Sequence, residues 1–461
     1  MNHLPPEIIA LCAAFASDAD PKQTVLLTHV CQYWREAITS SPRNWTSISS
    51  GWKRLTPLFL KRAGAAPLAA NLSVLDIEDN EDFIQALTPH VPRISRLSLT
   101  GYSFIEDVAD RLPSFFASPI LNFTSLELEQ DRRRPAESFP SNEDLEPPLF
   151  QNVSKLKSLH LTRVPLYPTL SSVVSLVELK LIDYTVPFGA FIGFLQSNVA
   201  LEVVILGLGF VRASVLTASG RRVSLPRLRR LILTCDDAID TRGLLSCLSL
   251  PSGVNTEIHS SEWDSYGDLA SFLPCTPTPI QDLLAPITTM KYKHYPRQLH
   301  LSNAEGSFSF CCDGWGISPT VYGEFGLFAT GAVREFHLSF ICEGEGTVDQ
   351  LSWALKRLPA LEALAISASP LRRKLLSVLT KKPVPCPSLK TIAFISDKVD
   401  WTVIKELGEM VKEREHSVAT RLHRVVIANR RNFPEGHTIR SLQKLVPRVD
   451  IIMGDELPNL L

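Results

Sequence analysis

No two cysteines of this chain stand at C-x-x-C spacing, although it holds nine of them. An odd count scattered along 461 residues suits reduced core thiols in a reducing compartment and excludes a disulfide framework. A secretory signal is missing its positive flank. The apolar stretch Ile8–Ala16 is preceded by Pro5, Pro6 and Glu7 and by no Lys or Arg. The Asn-x-Ser/Thr triplets at Asn44, Asn71, Asn122 and Asn152 are therefore read as chance matches. No apolar run is long enough to span a bilayer, so no membrane partner is expected and the chain is placed inside the cell, in cytoplasm or nucleus. A basic excess is missing too: 47 Lys and Arg against 48 Asp and Glu leave a net charge of -1 and no footprint for nucleic acid. Arg132–Arg134 and Lys412–Glu415 read as a loop and a solvated helix face.

The motifs of catalysis are absent as well. There is no Walker loop, no HExxH and no GxSxG, and Gly207-x-Gly209 lacks the third glycine of a dinucleotide loop. Cys311-Cys312, set among aromatics, reads as packing and not as a nucleophile. No catalytic site, metal or cofactor is expected. What remains, at 45% hydrophobic and 21% charged, is the composition of an ordinary globular protein.

The first fifty residues carry a pattern of their own. Pro5 and Pro6 stand where a helix can start, with Glu7 at the positive end of its dipole. Ile8, Leu11, Cys12 and Phe15 then recur at helical spacing on one apolar face. Ser17–Pro21 ends that helix and offers caps for the next. Leu27, Val30, Cys31, Trp34 and Ile38 show the same spacing, as though on one helix. Ser40-Ser41-Pro42 starts a third, with Trp45, Ile48 and Trp52 on its apolar face. So small a module is marginal alone, which leaves large apolar side chains free for a partner. In order and spacing this segment resembles an F-box. The resemblance implies docking of a Skp-family adaptor and, through it, a cullin. Leu4, Pro5, Ile8, Val30, Cys31, Trp34 and Trp45 fall on the family's adaptor-contacting or motif positions.

Nearly everything after it repeats the unit apolar-x-x-apolar-x-apolar. Ile94/Leu97/Leu99, Phe123/Leu126/Leu128, Leu156/Leu159/Leu161, Leu176/Leu179/Leu181, Leu201/Val204/Leu206 and Leu228/Leu231/Leu233 come first. Leu299/Leu301, Val333/Phe336/Leu338, Leu361/Leu364/Ile366, Leu389/Ile392/Phe394 and Leu422/Val425/Ile427 follow. Helical segments such as Phe188–Leu195, Leu351–Leu358 and Ile404–Val411 alternate with the strands. That periodicity is the signature of a leucine-rich-repeat solenoid. The Asn or Cys expected three residues after the last strand leucine is replaced by Tyr102, Asp131, Val164, Tyr184, Gly209 and Asp236, so the repeats are degenerate. The combination resembles fungal F-box proteins with such repeats.

The expected fold is α/β: a three-helix F-box over 1–52, a linker helix and loop over 53–71, and an irregular leucine-rich-repeat solenoid, strand plus helix per repeat, over 72–461. Insertions are expected near 131–148, 274–296 and 302–330, the last as extra strands or an elaborated repeat. The residues between the strand leucines point to the opposite face. They include Glu127, His160, Lys180, Arg230, His300 and His337, and run toward smaller residues at Ala365, Ala393 and Val426. His300 and His337 share a register in nearby repeats, close enough to raise the thought of a shared metal. The expected role is the substrate receptor of a Skp-cullin-F-box ubiquitin ligase, binding an as yet unnamed protein substrate. The alternative is a non-catalytic repeat scaffold with no part in ubiquitination.

Overall fold

The computed structural model describes the chain outside residues 1–3, 74–80, 102–122, 131–154, 165–172, 185–187, 209–221, 236–237, 261–268, 274–285, 294–296, 313–327, 329, 342–345, 370–372, 381–383, 397–400, 418–420, 430–435 and 454–461. The insertion expected near 131–148 lies outside the described residues. The chain divides into two compact units, one of residues 1–218 with 223–227 and one of 219–222 with 228–461.

The first unit opens with helices α1 (Pro6–Ala19), α2 (Pro21–Leu27) and α3 (Gln32–Thr39) and a short 3-10 turn, Pro42–Trp45. Asp20 caps α2, accepting from the Lys22 amide at 3.0 Å. The continuous second helix expected through Trp34 is instead broken between α2 and α3. Thr28 turns its hydroxyl back onto the Val25 carbonyl at 2.7 Å, and Cys31 is fully extended at φ -162°. Strand β1 (Ser47–Ser49) then runs parallel to β2 (Leu68–Ser73), with α4 (Thr56–Ala63) between them. The helical module therefore contributes the first strand of the ladder, and β2 starts inside the stretch expected as linker. Strands β3 (Ile94–Gly101), β4 (Ser125–Gln130), β5 (Ser158–Thr162), β6 (Glu178–Tyr184) and β7 (Val203–Leu208) add in parallel, each to the one before. Helix α5 (Glu81–Leu87) and the helix Phe188–Ser197 occupy crossovers between them.

In sequence the short strands β8 (Val223–Ser224), in the first unit, and β10 (Leu248–Ser249) come before and after β9 (Arg230–Cys235), the first ladder strand of the second unit. Strand β11 (Asn255–Ser260) pairs with β9 in parallel. The next neighbour is not the next strand. The chain passes over to β12 (Thr289–Lys293), returns antiparallel along β13 (Arg297–Ser302), and returns again along β14 (Ser307–Cys312), which docks parallel on β11. Strand β12 takes β15 (Glu335–Ile341) on its other side, also in parallel. A three-stranded meander is thus inserted in reverse order, β11-β14-β13-β12-β15. Strands β16 (Ala363–Ser369), β17 (Thr391–Ser396), β18 (Arg424–Asn429) and β19 (Arg448–Met453) resume the parallel ladder. Parts of the segments expected as insertions near 274–296 and 302–330 are therefore strands, β12 and β14.

The leucine spacing does what it predicts. Every residue of the repeated triplets is at most 5% exposed, and each such side chain adds about 1.5–3 kcal/mol by leaving water. In place of an asparagine ladder, one carbonyl per repeat accepts two amides of the next. Thr124 O takes Lys157 and Ser158 N–H, Lys157 O takes Val177 and Glu178, and Val177 O takes Glu202 and Val203. The second unit repeats the device from Thr288 through Arg334, Glu362 and Lys390 to His423 and Arg424. At the other end of the strands, Arg163 in left-handed backbone (φ 57°) donates to Gln130 O at 3.0 Å and to the Asp183 carboxylate at 2.9 Å. It ties β4 to β6 across β5.

Candidate interaction surfaces

Helix α1 has two apolar faces, and the larger side chains are on the outer one. Ile9, Ala13 and Ser17 are buried at i, i+4 and i+8 against the other helices, small enough for close approach. Ile8, Leu11 and Phe15 stand outside, Phe15 at 70% exposure, and Leu4, Leu26 and Val30 are exposed as well. The module closes its own core without them. A polar clasp does that work: the Asn44 carbonyl accepts from Ser17 Oγ at 3.4 Å and Thr24 Oγ1 at 3.2 Å, while the Asn44 amide and Trp45 Nε1 both donate to Ile38 O.

Of the residues expected at an adaptor, Leu4, Pro5, Ile8 and Val30 are exposed and Cys31 and Trp34 half-buried. Trp45 is the exception. It is wholly buried, edge-on to Phe59 at 5.0 Å with the Arg62 guanidinium 4.2 Å from its ring centre. A ring so enclosed fixes the module to α4 and presents nothing to a partner. Trp52, exposed at its rim, carries the Lys22 ammonium 5.2 Å from its ring centre.

On the open face of the first unit, Glu127, His160 and Lys180 form one row across β4, β5 and β6, as the spacing predicts. His160 Nε2 lies 3.2 Å from both Glu178 Oε1 and Ser158 Oγ. Serine and carboxylate share one ring nitrogen, whereas a proton relay needs one on each. The cluster is an imidazole within reach of a carboxylate, with a hydroxyl beside both.

In the second unit the matching row reads Ile232, Glu257, Ser309, His300, Lys291, His337, Ala365, Ala393, Val426 and Asp450. The reversed meander puts Lys291 between the two histidines, so they do not adjoin as expected. Among the described residues no three His, Cys, Asp or Glu side chains gather as metal ligands. His300 Nδ1 is 2.7 Å from Ser309 Oγ. Burial and, after it, the Lys291 charge hold both imidazoles below their usual range, with Glu257 opposing at His300. Arg230 reaches Glu257 at 3.1 Å and His259 lies 3.6 Å from the same carboxylate.

Farther along, the face expected to be open is closed. Ala365, Ala393 and Val426 are buried with Ile395 and Ala428 in one apolar cluster, and Ile452 lies against it. Sequence reasoning treated these as solvent-facing; the continuous apolar runs around them are the mark of strands buried on both faces. Beyond the cluster, Asp450 takes Arg424 at 2.6 Å and Arg448 at 2.9 Å. The two guanidinium groups hold its carboxyl below the ordinary range, against its own desolvation. Among the described residues no helix is long and apolar enough to cross a membrane.

No family model matches the chain, and no curated protein matches it. Solved structures resemble it at low identity, among them the following three. The yeast Rad7 and Elc1 complex is 13% identical, covers 94% of this chain and 93% of its own, and gives a TM-score of 0.28. The TLR13-ssRNA13 complex is 14% identical over 66% of this chain and 48% of its own, at 0.32. The leucine-rich repeat-containing protein LegL7 from Legionella pneumophila is 12% identical over 77% and 92%, at 0.26. Scores of that size bear on neither partner nor activity.

Proposed function

We propose that this chain is the substrate-recognition subunit of a Skp-cullin-F-box ubiquitin ligase. In this reading α1–α3 form an F-box that docks a Skp-family adaptor, and through it a cullin, while the ladder faces hold a protein substrate. One observation carries it. Leu4, Ile8, Leu11, Phe15, Leu26 and Val30 are large, apolar and exposed on a helical module whose core is already complete. Exposed aliphatics around an aromatic anchor are what an interface hot spot requires. The chain itself contributes no catalytic group; it raises the concentration of a bound protein near the transferring enzyme.

The test is capture of a purified Skp adaptor by the full chain. Wild type should retain it, and Phe15→Asp/Val30→Asp should lose about tenfold or more in affinity while keeping its helical circular dichroism. Equal retention by that variant, or none by wild type, sinks the proposal. Adaptor retention with no ubiquitin transferred to any captured protein would favour the scaffold alternative.

A further inference from the structure

We propose that the sheet face around Lys291, His300 and His337 binds a phosphorylated segment of a protein partner. This deepens the substrate-receptor reading and rests on it for the class of partner. Lys291 pairs in register with His300 on β13 and with His337 on β15. Adjacent strands are about 4.8 Å apart, so the ammonium and its two flanking imidazoles fall within about 10 Å. A phosphoryl group offers three acceptor oxygens and about two negative charges, enough to engage the central cation and a donor on either side. A carboxylate brings a single negative charge and two oxygens in one plane, a poorer match to three donors spread across three strands.

The cation is also uncommitted. Among the described strand residues of this unit, Arg230 has Glu257, and Arg424 and Arg448 share Asp450. Lys291 and Lys293, two residues apart on the same face of β12, have no carboxylate of a described residue within ion-pair distance. The carboxylate nearest the row, Glu257, is drawn off by Arg230 and His259, and Glu335 on β15 accepts from Thr289 Oγ1 at 3.4 Å. His300 Nδ1 is taken by Ser309, which leaves Nε2 for a ligand. Around His300 stand Glu257 from β11, Ser309 from β14 and Lys291 from β12; beside His337 stand Lys291 and the uncharged Ala365. Burial and Lys291 keep both rings neutral near pH 7, and an arriving dianion or a fall in pH would protonate them. The patch matches a single phosphoryl group. A nucleic-acid backbone would need a track of cations, and here the row passes into a closed apolar cluster on one side and the Glu257 ion pair on the other.

The experiment measures anisotropy of the full chain with a degenerate peptide library centred on phosphoserine, the same library centred on serine, and a single-stranded oligouridine. The phosphoserine library should bind about tenfold tighter than its serine counterpart, and Lys291→Glu and Lys291→Ala should abolish that preference. Affinity should rise about threefold or more from roughly pH 7.5 to pH 6, and His300→Asn/His337→Asn should flatten the rise. Equal binding of the two libraries, wild-type preference in Lys291→Glu, or tighter binding of oligouridine overturns the proposal. Adaptor capture is measured on the same variants. Wild type that captures the adaptor but shows no phosphoserine preference removes this site alone, and wild type that shows the preference without capture removes only the ligase reading.

Discussion

Arg414 is 1% exposed, and no carboxylate comes within ion-pair distance of it among the described residues. It sits on the helix Trp401–Ser417 and donates through Nη1 to Leu379 O at 3.3 Å and Pro385 O at 3.1 Å, and through Nη2 to Cys386 O. Three carbonyl dipoles thus stand in for a counter-ion and pin the turn before β17, where Cys386 is left-handed at φ 51°. Arg414→Met keeps most of the aliphatic stem, so little packing is lost. Cys386 O would still accept from Leu389 N–H at 3.1 Å, but the carbonyls of Leu379 and Pro385 would lose this donor. Two such groups cost about 1–3 kcal/mol each, and the gain from no longer burying a guanidinium offsets part of the lost charge-assisted bonds. The net expected loss is about 1–4 kcal/mol. Arg414→Lys should fare little better, because an ammonium cannot reproduce the fork. Urea unfolding followed by hydrogen exchange of residues 391–396 and 404–417 reads this region without assuming that the whole chain unfolds in one step. If both variants exchange within about 0.5 kcal/mol of wild type, the carbonyl cage is not what holds this turn.

Three further outcomes are expected. Trp45→Ala, which opens a cavity beside Phe59 and Arg62, should destabilise the first unit by about 3–5 kcal/mol, whereas Phe15→Ser should change stability by less than about 0.5 kcal/mol; thermal melts of the two separate core from surface. Gly306→Val should loosen the meander by about 1–3 kcal/mol, seen as faster exchange of residues 255–260, because a Cβ there would lie 2.9 Å from Val254 O, a backbone atom that cannot turn aside. His300 and His337 titrate below their ordinary value, so the unfolded chain takes up protons first as pH falls. Their contribution is present above about pH 6.5 and lost as pH drops through their folded values, so the urea midpoint of the second unit should fall there, less steeply in His300→Asn/His337→Asn.

The buried side of the ladders was legible because burial enforces it: a strand that hides one face must repeat its leucines, and the triplets mark β3 to β7, β9, β13 and β15 to β18. Helix α1 was legible as a helix but not in which face it buries. Ile8, Leu11 and Phe15 are the more hydrophobic set, and only the small Ala13 and Ser17 on the other face betray where close packing occurs. The reversed meander escaped because Met290 and Tyr292, Leu299 and Leu301, and Phe308 and Phe310 alternate as any strand would, parallel or not. A signal was present in the loop lengths. Residues 294–296 and 303–306 are too short to return a chain to a parallel neighbour, which takes a dozen residues or more, so β12, β13 and β14 had to be hairpins. Reading those gaps would have put Lys291 beside His300; the pairing of β15 with β12, which brings His337 to its other side, has no signal in them. The closed face over Ala365, Ala393 and Val426 carried its signal in unbroken apolar runs such as Thr391-Ile392-Ala393-Phe394-Ile395.

The helical module and the first repeats share a structure that bears on how such a receptor could work. Ile48 lies in β1, is buried, and pairs in register with Ala70 of β2. Ser50 Oγ accepts from the Ser73 amide at 2.9 Å, and Ala69 N–H donates to Thr46 O at 2.9 Å. Trp45 is clamped by Phe59 and Arg62 of α4, the helix that leads into β2. Nothing in this stretch resembles a flexible tether of Gly and Ser, whose freedom would spread a bound partner over many orientations. Substrate presentation depends on effective concentration, which is highest when the span is fixed and falls as a linker loosens. On the proposed reading, an adaptor docked on the apolar stripe of α1, which is joined to the ladder through a shared strand, would be held at one orientation to the first repeats, and the seam at Trp45 and Ile48 is where that orientation would be set.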